Sequence, residues 1–213
     1  MPKCDNREYR AMPVMAKIEN RAEQLIDTDF YVEGFATTFN DPYLLWEDGA
    51  YKFFEQVDRN AFDNADMSDV IFLHNHEGKC FARTKMRAGT PPTLILEPRE
   101  RGLFVAADLG MIAEGREEYR AITGGLVYQM SFAFTVADDE IIELGDGEYL
   151  RTIKAIKKVY DVSSVDMPAN PNTSIDTQTR AAFEGFIERR AQELRRAEEE
   201  TIAKRKLIAL INL

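Results

Sequence analysis

Between Phe30 and Asn170 the sequence repeats one device, a short run of aromatic and β-branched residues closed by Gly, Asn, Asp or Pro. Runs bounded in this way read as strands, and a chain built largely from them must bury its apolar faces in packed or curled sheets. FYVEGFATTF, at Phe30–Phe39, is the first, with Gly34 as a candidate bulge. NDP, from Asn40, then marks a turn. YKFFEQV follows as a second strand, and in DRNAFDNAD the position of Asp58 suits the cap of a short helix that buries Phe62. Asp69–His76 reads as a third strand. TLILEPRERGLFVAADL reads as a hairpin turning over Arg99–Gly102, and AEGREEYRAITGG as a surface helix stopped by its glycines. LVYQMSFAFTVADDEII is again strand, and Gly145–Gly147 turns the chain into a further strand pair.

The pattern changes at the C-terminal end. From Thr179 to Leu213 there is no proline, and no glycine after Gly185, while Ala, Glu, Arg, Leu and Ile dominate. This favours one long helix with Phe183, Phe186 and Ile187 on an apolar stripe. The implied fold class is α+β, mainly β: a β-barrel-like antiparallel core flanked by a few helices, with a long C-terminal helix. Residues 1–25 are expected as a flexible N-terminal arm, 26–175 as the main domain and 176–213 as a helical tail.

Charge narrows the function. The 27 basic residues stand against 37 acidic ones, a net charge of −10, which repels nucleic-acid phosphates unless a basic patch intervenes. The sequence contains no long apolar run, and MPKCDNREYRAMPVMAK lacks the apolar segment of a signal peptide. A soluble, intracellular protein that binds neither nucleic acid nor membrane is expected. Cys4 and Cys80 have no metal-ligand spacing and read as reduced thiols.

The chemistry-bearing residues are few. FLHNHEGK holds both histidines of the chain, His74 and His76. In an extended strand Phe72, His74 and His76 would share a face, but a metal clip needs three or four ligands, and beyond these two histidines only carboxylates could complete it. The literal string HNH is not the nuclease unit of that name, whose residues are spread over a longer segment. Nucleophilic catalysis needs a base beside Ser or Cys and a third group to orient that base. Among the serines, Ser131 has the most informative surroundings, QMSFAFTVADD. Alternation there puts Phe132, Phe134 and Val136 on one face, leaving Ser131, Ala133 and Thr135 on the other. Asp161, inside the apolar run VYDVSSVDM, carries a charge that must be paired, and a histidine would satisfy it.

Five stretches in order, GFATTFN, FLHNHEGKCFARTK, RGLFVAADL, GGLVYQMSFAF and RTIKAIKKVYDVSSVDMPANP, resemble the prohead (capsid maturation) serine proteases of tailed bacteriophages, related in fold to the herpesvirus assemblins. The resemblance covers roughly residues 30–173, within the main domain, which it marks as a protease domain. It places the general base at His76, in an Asn-His-acid step, the nucleophile at Ser131, in a Met-Ser-Phe step, and the orienting acid at Asp161, before Val-Ser. His74 becomes an accessory residue. The family acid is usually glutamate, so the shorter aspartate requires its strand to sit closer to His76. Arg151 is a candidate for oxyanion or substrate-carboxylate support.

No metal and no cofactor is implied. The resemblance implies cleavage of the scaffolding part of the major capsid protein, and self-cleavage, inside the assembling prohead in the host cytoplasm. The implied partners are that capsid protein and the chain itself, with a homo-oligomer left open. The alternative is an inactive scaffold or capsid-assembly chaperone of the same fold.

Overall fold

The computed structural model describes residues 7–12, 15–16, 24–49, 51–166 and 177–211 of the 213-residue chain. Contacts between Cα atoms divide the chain into two units, Met1–Ile175 and Asp176–Leu213. In the first, the order is β1 (Glu8–Met12), β2 (Met15–Ala16), β3 (Tyr31–Thr38), β4 (Tyr43–Asp48), β5 (Tyr51–Val57), β6 (Ile71–His74), β7 (Glu77–Arg83), β8 (Leu94–Pro98), β9 (Gly102–Asp108), α1 (Ala113–Thr123), β10 (Gln129–Gly145) and β11 (Glu148–Val165). The second unit holds α2 (Thr177–Ile211), a continuous helix of 35 residues.

Two sheets make the first unit. One runs β1-β10-β11-β5-β4, and the β6–β7 hairpin joins it along β11; the other runs β2-β3-β9-β8. The expected β-rich α+β class holds, but among the described residues the sheets do not close into a barrel, and the core is not purely antiparallel. β11 pairs in parallel with β5 near its start and with β6 near its end. A strand of 18 residues is long enough to give separate partners separate stretches. Local expectations shift by a residue or two. The irregularity in β3 falls between Phe35 and Thr37 rather than at Gly34, and Asp58 accepts a bond from the Asn60 backbone N–H in a run of turns rather than a helix. Part of the segment expected as an arm is paired: β1 runs antiparallel to β10, and β2 to β3.

Alternation along β10 decides what each face of the large sheet does. Phe132 and Phe134 are fully buried and stack with ring centroids 4.4 Å apart. They join Phe72, Ile153, Val159 and Val162 of the same sheet and Val32, Leu103 and Val105 of the other in one core. Truncating either phenylalanine to Ala in such a core costs about 3–5 kcal/mol. β1 follows the same parity, since Glu8 and Arg10 lie opposite Phe134 and Phe132, whereas Tyr9 lies opposite Ala133 and Ala11 opposite Ser131. Glu8 and Arg10 therefore share the core face, and Tyr9 the other.

The core face ends in a buried charge cluster. Arg10 binds Glu55 and Glu8, and Tyr43 donates its hydroxyl to Glu55 at 2.5 Å. Arg151 donates to Glu8 at 2.7 Å, to Glu55 at 2.9 Å and to Asp139 at 2.5 Å. Burial alone pushes the Glu55 carboxyl up, but Arg10 and Arg151 outweigh it and hold the group below its ordinary value. Every charge in the cluster meets an opposite one, which makes its burial tolerable.

Candidate active site

The site begins with a hairpin turn. β6 ends at His74 and pairs back through His74↔Glu77, so only Asn75 and His76 form the connection. Both have positive φ, 50° and 59°, as a two-residue hairpin turn matched to strand twist requires. Asn tolerates this conformation and His less readily; holding such a residue there costs about 1–3 kcal/mol, and strain of this kind clusters at functional sites. The expected strand Asp69–His76 is therefore two residues too long at this end, as it is at the other, since β6 spans Ile71–His74. Because the turn intervenes, His74 and His76 do not share a face.

The turn is tied down on both sides. Asn75 donates its backbone N–H to the Ser164 carbonyl at 2.9 Å and its side-chain amide to Asp166 at 3.0 Å. The His76 backbone N–H donates to Ser163 Oγ at 3.2 Å. Tyr9 stands edge-on to the imidazole, with ring centroids 4.7 Å apart. The ring of His76 is thus confined in position and in plane.

The imidazole faces two groups. His76 Nδ1 lies 2.5 Å from Asp161 Oδ1, and Nε2 lies 2.6 Å from Ser131 Oγ. The tautomer that satisfies both carries its proton on Nδ1, donates it to Asp161, and accepts the Ser131 hydroxyl proton at Nε2. Sheet register produces this convergence. Ser131 lies opposite Ser163 and Ala133 opposite Asp161, and β6 pairs with β11 through Asp161↔Ile71 and Ser164↔His74. The direct β6–β11 pairing brings the turn within reach of an aspartate. Between Asp161 and Val159 the register with β10 slips by one, leaving Tyr160 as the extra residue of a bulge.

Ser163 is part of the same arrangement and was not singled out from the sequence. It is fully buried and donates its hydroxyl to Asp161 Oδ1 at 3.0 Å while accepting from the His76 backbone. Its signal was present in the alternation, since a residue two past Asp161 shares its face. Tyr9 had no such signal, because its role depends on where β1 pairs.

A cleft of about 510 Å³ opens on this face, reaching His76 and Asp161 and floored by Ile71 and Leu73. Ser131 itself is 2% exposed, and Ala133 is fully buried, so the small-residue face of β10 is covered rather than open.

The other two candidates lie elsewhere. His74 faces Glu118 of α1, with Nδ1 3.2 Å from Oε1, and Ser164 donates to the same carboxylate at 2.6 Å. It links the hairpin to α1 and touches none of Ser131, His76 and Asp161 among the contacts described. Arg151 is held by Glu8, Glu55 and Asp139 on the opposite face, ten residues along β11 from Asp161. The structure does not bring it to the candidate oxyanion. Among the described residues no three His, Cys, Asp or Glu side chains group as a metal site.

A family model described as caudovirus prohead serine protease matches residues 16–185, most of the 213-residue chain. No curated protein and no solved structure matches it.

Proposed function

The chain belongs to the caudovirus prohead serine protease family, which implies a serine peptidase role in phage capsid maturation; from that premise we propose that it is an active peptidase with His76, Ser131 and Asp161 as its catalytic triad. The observation that carries the reading is the unbroken line Ser131 Oγ to His76 Nε2, 2.6 Å, and His76 Nδ1 to Asp161 Oδ1, 2.5 Å. Both separations fall within the reach a nucleophile, base and orienter need.

In this mechanism His76 takes the Ser131 proton as Oγ attacks the peptide carbonyl, and returns it to the leaving amine as the acyl-enzyme forms. Water then repeats the cycle with the acyl-enzyme. Asp161 holds the imidazole in the required tautomer and stabilises the imidazolium. Ser163 holds Asp161 and the turn together. Aspartate serves here in place of the usual glutamate because β6 lies directly against β11.

The substrate is the scaffolding part of the major capsid protein, together with the chain itself, and the work is done within the assembling head in the host cell. Residues 26–175 act as the protease domain, with residues 1–25 and 176–213 as appended segments. The test is co-expression with the major capsid protein of the same phage. The wild-type chain shortens the capsid protein and Ser131→Ala leaves it at full length; shortening that persists in the variant removes Ser131 from the mechanism.

A further inference from the structure

We propose that the cleft beside His76 contains a subsite for an acidic side chain of the substrate, held by Arg7, about four residues from the scissile bond; this deepens the peptidase reading and rests on it.

The cleft is lined by several charged groups, and most are already engaged. Arg83 donates to both oxygens of Asp69, at 2.7 and 2.8 Å, so that pair neutralises itself. Asp161 belongs to His76 and Ser163. Glu77 is exposed beside the turn at the His76 end. Arg7 differs from all of these. Among the described residues it has no carboxylate partner; its guanidinium lies over the Tyr160 ring, 3.8 Å from the centroid. Its Nε is buried and has no hydrogen-bond acceptor.

Stacking on an aromatic ring uses the face of a guanidinium and leaves its N–H edge free. That edge is the fork that takes a carboxylate through two parallel bonds. The Tyr160 bulge and the small side chains at Ala133 and Thr135 explain how Arg7 can reach across β10. Contact with the Tyr160 ring, 3.8 Å from its centroid, holds the guanidinium in place before a substrate arrives. With a net charge of −10 the protein repels acidic chains in general, which makes an unpaired cation inside the cleft a local point of attraction.

Distance along the sheet sets the position. Ala11 lies opposite Ser131, and Arg7 is four residues back along the chain, about 13 Å at the rise of a strand. An extended substrate has the same rise, so the acid falls about four residues from the bond attacked by Ser131.

The test uses the full chain and a peptide library made from a digested bacterial proteome, with cut sites read by mass spectrometry. Reaction of Ser131 with a fluorophosphonate first checks that the nucleophile is active. The expected result is Asp or Glu enriched at least fivefold at one position three to five residues from the cut. Arg7→Gln loses that enrichment, and Arg7→Glu shifts it toward Lys or Arg, with thermal unfolding unchanged in both. A wild-type profile with no acidic preference overturns the proposal. So does an Arg7→Gln profile that keeps the preference, or one slowed equally on every peptide, which marks a contact to the substrate backbone instead. A chain that neither reacts with the fluorophosphonate nor cuts the library overturns the peptidase reading, and the subsite with it.

Discussion

The two faces of the large sheet draw on two shared strands, β1 and β11, for opposite ends. On the core face β1, β5 and β11 contribute Glu8, Arg10, Glu55 and Arg151, each buried and each met by an opposite charge. On the outer face β1, β10 and β11 contribute Tyr9, Ser131, Asp161 and Ser163, which converge on His76, and Tyr9, His76 and Asp161 reach the cleft. Both are polar clusters, and on β1 they are separated only by the alternation of the strand, Glu8 and Arg10 on one side and Tyr9 on the other. In the core-face cluster carboxylates and guanidiniums answer one another; in the outer one the Ser131 hydroxyl meets a neutral imidazole nitrogen that can take its proton. The presence of charge inside a sheet says little, and its completeness of pairing says much.

The comparison breaks most sharply at the nucleophile. Ser131→Ala should reduce peptide hydrolysis by about 10⁴-fold or more, the scale seen when a triad nucleophile is removed, while thermal unfolding moves little. A large loss of stability instead would mean the outer face is structural as well.

Glu55→Ala should do the reverse. It leaves Arg10 and Arg151 buried with only Glu8 as a shared partner, a loss of about 3–5 kcal/mol, measurable by denaturant unfolding. Activity per folded molecule should be retained, and its loss would couple the two faces.

Ser163→Ala should sharpen the outer face. It removes a hydrogen bond to the Asp161 carboxylate, worth about 1.5–3 kcal/mol, so kcat should fall about 10- to 150-fold with KM little changed. A fall in KM-controlled binding instead would place Ser163 in the substrate site.

The smallest effect is on alkaline stability. Burial, and then the Glu55 charge, hold the Tyr43 phenol un-ionised well above its ordinary value of 10.0. Burial and Glu33 likewise raise Tyr31 to about 12. A phenol raised on folding adds stability that is fully present below the unfolded value and lost as pH rises through the folded one. Unfolding should therefore become easier above about pH 10, and Tyr43→Phe should flatten that slope in denaturant titrations at stepped pH. An unchanged slope would remove Tyr43 from the cluster's energetics.

Much of this was legible in the sequence, and what was not has a physical reason. YKFFEQV became β5 without adjustment, because a half-buried strand writes its alternation locally. The hairpin of β8 and β9 and the helix α1 were signalled by their turn and stop residues. His76, Ser131 and Asp161 were named by motif, and their convergence depends on β10–β11–β6 pairing, which no local rule states. Arg151 shows the limit most clearly. A strand arginine is more often a surface or ion-pair residue than a functional one, and the positions of Glu8 and Glu55, 143 and 96 residues away in sequence, decide for the ion pair. Tyr9 and Arg7 were invisible for the same reason, since β1 carries no pattern that reveals its partner. The turn at Asn75–His76 was missed because neither residue is glycine, the usual mark of positive φ.

The most direct test of the central claim is to treat the purified chain with a fluorophosphonate and identify the modified residue by mass spectrometry. The triad predicts a single adduct on Ser131 that disappears in His76→Ala. An adduct on another serine, or one on Ser131 that forms equally fast without His76, would contradict it.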